Sequence, residues 1–466
     1  MIELLELCGY EGPEIQQELP RVKKAFDKTG IDAADIENGK QRLRLYYDLE
    51  LRGIRRVIRL CVKEFVDSVL VREEGRTKVI YGFMAPDFDI IGTAAMSVSR
   101  EVYAIHHFWA FMFVFGHIFD KMVTVFEAAE KSWLKSGIVA HCGNVKTLLG
   151  TLTLDLFPKP DLMITSGALC ETAPKTFDLL HELYGIPVCF YETCQDREHG
   201  AFDTASRRAI ELEAKSLKKM AERIETVIDH EITDEMLSDS LDAKKELNRS
   251  MQKMRQILLT SDPLPLSPTH ENFWMILGLL TLSPERLQEA SDAIGTLVDE
   301  LQERVDKGIG VVEKGAPRIL AMCPAHHIDP RLEKLVNDTG IAMLGTDALL
   351  VAPSPVHSDD PYQKIAAPLQ ASLFISPAAK IPLLIELCKE LKIDGVFNRY
   401  QSGCRTVVGD ALLIQDALEK ELGIPSLLLE WENYDPRYYH HEQYRKKLET
   451  FKSMMLNRSK STGKRS

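Results

Sequence analysis

The chain carries one pattern twice, and the repeat limits what it can fold into. Asp161 to Asp196 reads DLMITSGALC, a helix-compatible stretch, then LYGIPVCFYETCQD; Asp394 to Asp435 reads DGVFNRYQSGC, a second such stretch, then LGIPSLLLEWENYD. Each copy has an aspartate, an apolar run, Ser-Gly shortly before a cysteine, a helical pattern, Gly-Ile-Pro and another apolar run ending in acid. Short apolar runs without alternation suit strands buried on both faces. Joining two such strands through a helix calls for a right-handed crossover and a parallel sheet. Any two strand–helix–strand units share a strand, a helix and a turn, but the placement of Ser-Gly and cysteine goes beyond that. The simplest reading is a duplicated Rossmann-like unit.

More runs of the same kind flank each copy. KVIYGFMAPD and GIVAHCGN precede the first; RILAMCP and IAMLGTDALLV, separated by the helical DPRLEKLVNDTG, precede the second. The predicted fold is α/β, with two Rossmann-like doubly wound parallel-sheet domains and an added helical subdomain. A chain of 466 residues exceeds what one core organises, which agrees with two lobes. The expected divisions are an N-terminal helical region at 1–75, a first Rossmann-like domain at 76–200, a helical segment at 201–315, a second Rossmann-like domain at 316–452 and a disordered basic tail at 453–466. In the helical segment, Pro263, Pro265 and Pro268 argue against a continuous coiled coil. The most apolar window, Phe108 to Phe119, is shorter than the roughly 20 residues needed to cross a bilayer. It reads as a buried helix or a subunit contact.

A net charge of −12 argues against a nucleic-acid surface, which needs clustered Lys and Arg. The N-terminus has acids where a secretion signal needs a basic region, and the nine cysteines form no C-x-x-C pair, so reduced thiols and a cytoplasmic location are expected, with no membrane partner. The chain has no G-x-x-x-x-G-K-[ST] and no well-placed G-x-G-x-x-G, so nucleotide energy or hydride would have to come from another chain. G-x-S-x-G and H-E-x-x-H are absent as well, which removes two common hydrolase readings.

Cys142, Cys170 and Cys404 each fall just past a predicted strand, before a helix, and that edge of an open α/β sheet is where a crevice forms. A thiolate at a helix N-terminus is favoured by the helix dipole. Thiols so placed hold a metal or cluster, or stand as separate buried groups, and placement alone leaves both open. Cys8, Cys61, Cys189 and Cys388 lie inside strand or helix patterns and read as small buried hydrophobes. Cys194 and Cys323 end predicted strands and could face the same crevice.

The blocks CGNVKTLLG, DLMITSGALCETAPKTFDLLHELYGIPV, DGVFNRYQSGC and LGIPSLLLEWENYDPRYYHHEQYRKKLETF together resemble those of the 2-hydroxyacyl-CoA dehydratase and benzoyl-CoA reductase family, over about residues 137–452. The resemblance implies a bilobed subunit with a [4Fe-4S] cluster in the interdomain cleft, held by Cys142, Cys170 and Cys404. Three thiolates leave one iron without a protein ligand. It also implies a related second subunit or a homodimer, a separate ATP-dependent iron-sulfur activator and an acyl-CoA substrate. The implied chemistry is one-electron reduction of the thioester carbonyl, leading to dehydration or, for aromatic substrates, ring reduction.

Around the implied ligands, His141, Glu192 and Glu430 are the candidate acid–base residues, the two glutamates at equivalent strand ends. The alternatives are a backbone-satisfied histidine and solvated carboxylates. His326 and His327 lie on a predicted crevice loop. Ser166, Ser402 and Arg405 flank the cysteines as hydrogen-bond donors to sulfide or thioester oxygen. Cys194 and Cys323 depart from the simple dehydratases and open the reading of a homodimeric reductase with a larger double-cubane cluster. A noncatalytic electron-relay subunit is a third reading.

Overall fold

The structure is a computed structural model and describes residues 1–106, 108–132, 142–167, 170–193, 207–322, 328–347, 358–370, 377–401, 404, 408–430, 432 and 435–461. Two four-stranded parallel sheets organise it. The first holds β1 (Lys78–Phe83), β2 (Val102–Ile105), β3 (Leu162–Ser166) and β4 (Val188–Tyr191) in the order β2-β1-β3-β4. The second holds β5 (Arg318–Met322), β6 (Ala342–Thr346), β7 (Gly395–Tyr400) and β8 (Ser426–Glu430) in the order β6-β5-β7-β8. The orders are the same when each sheet is numbered from its own first strand. In both, the strand order reverses between first and third strands, the switch point where ligands enter doubly wound sheets.

The two copies also agree at the level of single residues. The Asp161 carboxylate accepts from the Val79 N–H at 2.7 Å, and the Asp394 carboxylate accepts from the Arg318 N–H at 2.9 Å. Each thereby ties the start of a third strand to the start of a first. Helices Thr172–Tyr184 and Asp410–Leu422 end at Gly185 and Gly423, both in the left-handed conformation that a residue without a Cβ adopts readily. In each copy Gly-Ile-Pro then leads into an edge strand. Met163 pairs with Val188 as Val396 pairs with Ser426, so the registers agree. Counted along them, Glu192 corresponds to Glu430, the equivalence that the sequence implies.

Strand β2 lies in VYAI, a four-residue buried run between helices that the apolar-run reading passes over. The expected strand GIVA at 137–140 lies outside the described residues.

The N-terminal region folds as four helices, of which Arg52–Leu70 is buried along most of its length. It packs against helix Pro284–Asp306, so the middle and N-terminal helices form one layer. The middle segment divides, however. Helix Arg207–Ile228 covers the first sheet, joined there by helix Pro361–Gln370, whose Tyr362, Ile365 and Ala366 share that sheet's core. One helix from the second half thus packs on the first lobe. Helix His441–Ser461 backs the second sheet, with Phe451 and Met455 against Gly395, and carries helical structure through much of the expected basic tail.

Phe108–Met112 is α-helical and continues as a π-helical turn at Phe113–Ile118, all of it buried. A Cβ at Gly116 would stand 2.5 Å from the Ile328 carbonyl oxygen, so glycine admits the backbone that follows the second sheet's first strand. The apolar window is therefore core that joins the halves. Among the described residues no single helix is long and apolar enough to cross a membrane.

Candidate metal-cluster site between the two sheets

Cys142 is the residue before helix Gly143–Thr153, with extended backbone and a half-buried side chain. Burial pushes its thiol up to about 12, the nearby Cys170 and Glu432 add to the rise, and the Val145 and Asn144 N–H groups oppose it. Cys142 and Cys170 thus stand within electrostatic reach of each other. Cys170 lies four positions beyond the end of β3, half-buried, with Sγ 3.0 Å from Thr172 Oγ1 at the start of helix Thr172–Tyr184. Cys404 lies four positions beyond the end of β7, the corresponding strand of the second sheet. Its N–H donates to the Gln401 carbonyl at 2.9 Å, and its own carbonyl accepts from the Val408 N–H at 3.0 Å.

A chain of hydrogen bonds links these loops across the lobes. Gln401 Nε2 donates to both oxygens of Glu432, at 2.8 and 2.9 Å. Glu432 Oε1 also accepts from the Gly143 N–H, next to Cys142, at 3.3 Å. Beside it, Lys146 Nζ stands 2.9 Å from Glu130 and 3.5 Å from the buried Asp435, and Arg437 closes the group onto both acids. Cys404 is tied in this way to the helix that Cys142 precedes.

Among the described residues no three His, Cys, Asp or Glu side chains are grouped to share one metal ion. A four-iron cube asks for something different, because it spreads its thiolates over separate irons. The donors present are of the kind such a cluster takes: soft thiols from both lobes, Cys142 and Cys170 just before helices and Cys404 just past β7.

Other predicted residues fall in different surroundings. Ser166 is 0 % exposed and donates to the Met84 carbonyl at 2.9 Å, which fixes it between first and third strands. Glu192 is exposed past the end of β4, where its N–H donates to Ser216 Oγ at 2.8 Å. Glu430 is exposed at the end of β8 beside Tyr444. His141, Ser402, Cys194, Cys323, His326, His327 and Arg405 lie outside the described residues. Cys8, Cys61 and Cys388 are buried as expected, whereas Cys189 is only half-buried because β4 is an edge strand.

Sequence reasoning missed Gln401 and Glu432; the sole local signal for the latter is a second acid two positions after Glu430. It also missed a buried acid pair behind the first crevice. The Asp87 carboxyl is pushed well above the usual range by burial and by Glu213, and the Asp87 N–H meets Tyr191 Oη at 3.4 Å.

The sequence profile of the family described as 2-hydroxyglutaryl-CoA dehydratase, D-component, matches residues 108–455. A benzoyl-CoA reductase component of Thauera aromatica, one of that enzyme's named subunits, is 22 % identical over 316 residues, which is 64 % of this chain and 71 % of that protein.

Proposed function

The chain belongs to the 2-hydroxyglutaryl-CoA dehydratase D-component family, and from that premise we propose that it is the iron-sulfur subunit of an acyl-CoA dehydratase or reductase. Cys142, Cys170 and Cys404 would hold a [4Fe-4S] cluster between the lobes. The observation that supports the reading is the hydrogen-bonded chain from Gly143 through Glu432 to Gln401, which links the helix after Cys142 to the loop that carries Cys404. When bound, such a cluster supplies single electrons of low potential for reduction of a CoA thioester.

The chain's own residues provide the setting. Cys170 and Cys404 follow third strands of equivalent sheets, so each lobe presents one thiol at its switch point. Cys142 adds a third from a helix start, where N–H groups favour the ionised sulfur against the burial that otherwise keeps it protonated. Ionising a thiol with so high a pKa releases a proton on metal binding, so uptake is favoured by higher pH. The Thauera relative is named as a component of benzoyl-CoA reductase. By extension we propose a cytoplasmic enzyme that works with a second related subunit, or a second copy, and receives electrons from an ATP-dependent activator.

Anaerobic purification followed by iron and sulfide analysis tests the reading. About four irons per chain supports the single cube, about eight supports the double-cubane alternative, and none removes every cluster reading. Adding acyl-CoA thioesters to the iron-loaded protein and following its spectrum then separates an enzyme from an electron relay.

A further inference from the structure

Helix Gly143–Thr153 begins without a side-chain cap of its own. The first N–H groups of any helix lack intrahelical partners, and a carboxylate placed against them is favoured by the helix dipole. Here the carboxylate comes from the other lobe. Glu432 accepts the Gly143 N–H at 3.3 Å, two positions after β8 ends. The same carboxylate takes two bonds from Gln401 Nε2, at 2.8 and 2.9 Å. Gln401 is 4 % exposed, so its side-chain amide depends on a protein partner, and its main-chain carbonyl accepts from the Cys404 N–H at 2.9 Å.

We propose that Glu432 is a latch across the cleft and a positioning residue for the two cysteines it lies between. It fixes the start of the Cys142 helix against the Cys404 loop, so that thiols from opposite lobes keep one separation. The repeat supplies no second carboxylate of this kind, because the position matching Glu432, counted from the glycine that ends each preceding helix, is Cys194. The neighbouring Glu130, Lys146, Asp435 and Arg437 join helices Met122–Ser132 and Gly143–Thr153 to the turn after β8, and they pair chiefly with one another. Glu432 acts at the end nearest the cysteines. Its value for cofactor binding rests on the proposed function; the latch itself does not, and the two are tested separately.

The test uses the full chain and the variants Glu432→Ala and Glu432→Gln. Hydrogen–deuterium exchange is followed in peptides spanning Gly143–Val145 and Gln401–Cys404, in the metal-free protein. Glu432→Ala should exchange about tenfold faster there, as expected for losing hydrogen bonds to a charged group. Glu432→Gln should stay close to the parent, because its amide oxygen still accepts from Gly143 and the Gln401 amide can turn to receive its NH2. After anaerobic reconstitution with iron and sulfide, Glu432→Ala should retain less than about half of the parent's iron and Glu432→Gln most of it. This rescue separates hydrogen-bonded positioning from bulk stability. Unchanged exchange in Glu432→Ala, or equal loss of iron in both variants, overturns the proposal. If Glu432→Ala does not fold, Gln401→Ala, which removes the other end of the latch, must speed exchange at Gly143–Val145, and unchanged exchange again overturns it. If the parent protein takes up no iron, the cofactor reading falls and the exchange result still decides the latch.

Discussion

Replacing Arg399 with methionine should be among the most damaging single changes to the second lobe. Arg399 lies in β7 with its side chain 0 % exposed, and its Nη1 donates to Glu333 Oε1 at 2.6 Å. Glu333 is buried on helix Arg331–Asp338, which connects the first two strands of that sheet. The guanidinium also stands 5.6 Å from the centre of the Phe397 ring. Methionine keeps most of the volume but leaves the carboxylate buried without that cation, a loss of about 3–5 kcal/mol. Against a typical domain stability of about 5–15 kcal/mol, that is about a fifth or more of what holds the lobe together. Urea unfolding near neutral pH, followed by circular dichroism, should show a clear drop in the midpoint. Because the carboxyl reduces its penalty by taking up a proton, the gap between variant and parent should narrow as pH falls. Removing both charges, in Arg399→Met with Glu333→Leu, should recover much of the loss. A single variant within about 1 kcal/mol of the parent, or a double variant as unstable as the single, would refute the reasoning that desolvated charge governs this pair.

Cys404→Ala should lower iron and sulfide content well below the parent's after anaerobic purification, with little change in thermal unfolding of the metal-free protein; full retention of the cluster rejects Cys404 as a ligand. Gly150→Ala should destabilise by about 1–2 kcal/mol in the same urea assay, since its Cβ would overlap the Val125 carbonyl where helices Met122–Ser132 and Gly143–Thr153 cross, and the gain in helix propensity offsets only part of that. His106, 3 % exposed and 2.8 Å from Thr281 Oγ1, is held down to about 3 by burial. Its unfolded value is near 6.5, so the unfolded chain takes the proton first as pH falls: the His106 contribution is fully present above about pH 6.5 and is lost progressively toward pH 3, by up to about 5 kcal/mol. Unfolding midpoints measured across that range should fall less steeply in His106→Gln than in the parent.

Much of the scaffold was legible because its signals are local. A parallel strand covered on both faces reads as a short, largely apolar run, and RILAM declares itself in that way, as does the Leu-rich edge strand SLLLE. Gly-Ile-Pro marks a left-handed helix end followed by an edge strand in both copies, at Gly185 and Gly423. Strand β2 escaped because VYAI sits between helical patterns and is no more apolar than they are. The excursion of helix Pro361–Gln370 to the first lobe escaped for another reason. Its apolar face shows that it must be covered, but composition does not say by which sheet.

The candidate site divides along the same line. Cys170 and Cys404 could be placed from sequence because each is fixed by its own strand, four positions past the end of it. Glu430 drew attention because it ends a strand, yet its side chain is exposed beside Tyr444, and Glu432 beyond it reaches the start of the helix after Cys142. The strand stops at Glu430, and with it stops the alternation by which a side chain's face can be read. Past that point the direction of Glu432 is set by partners remote in the chain, Gln401 and Gly143. Duplication accounts for the two equivalent thiols. It cannot account for a latch that joins unlike segments, the end of β8 to the helix after Cys142. A cleft built from two equivalent lobes needs such an unequal contact if its thiols are to hold one separation, because a repeat fixes each lobe internally and leaves their spacing to the seam.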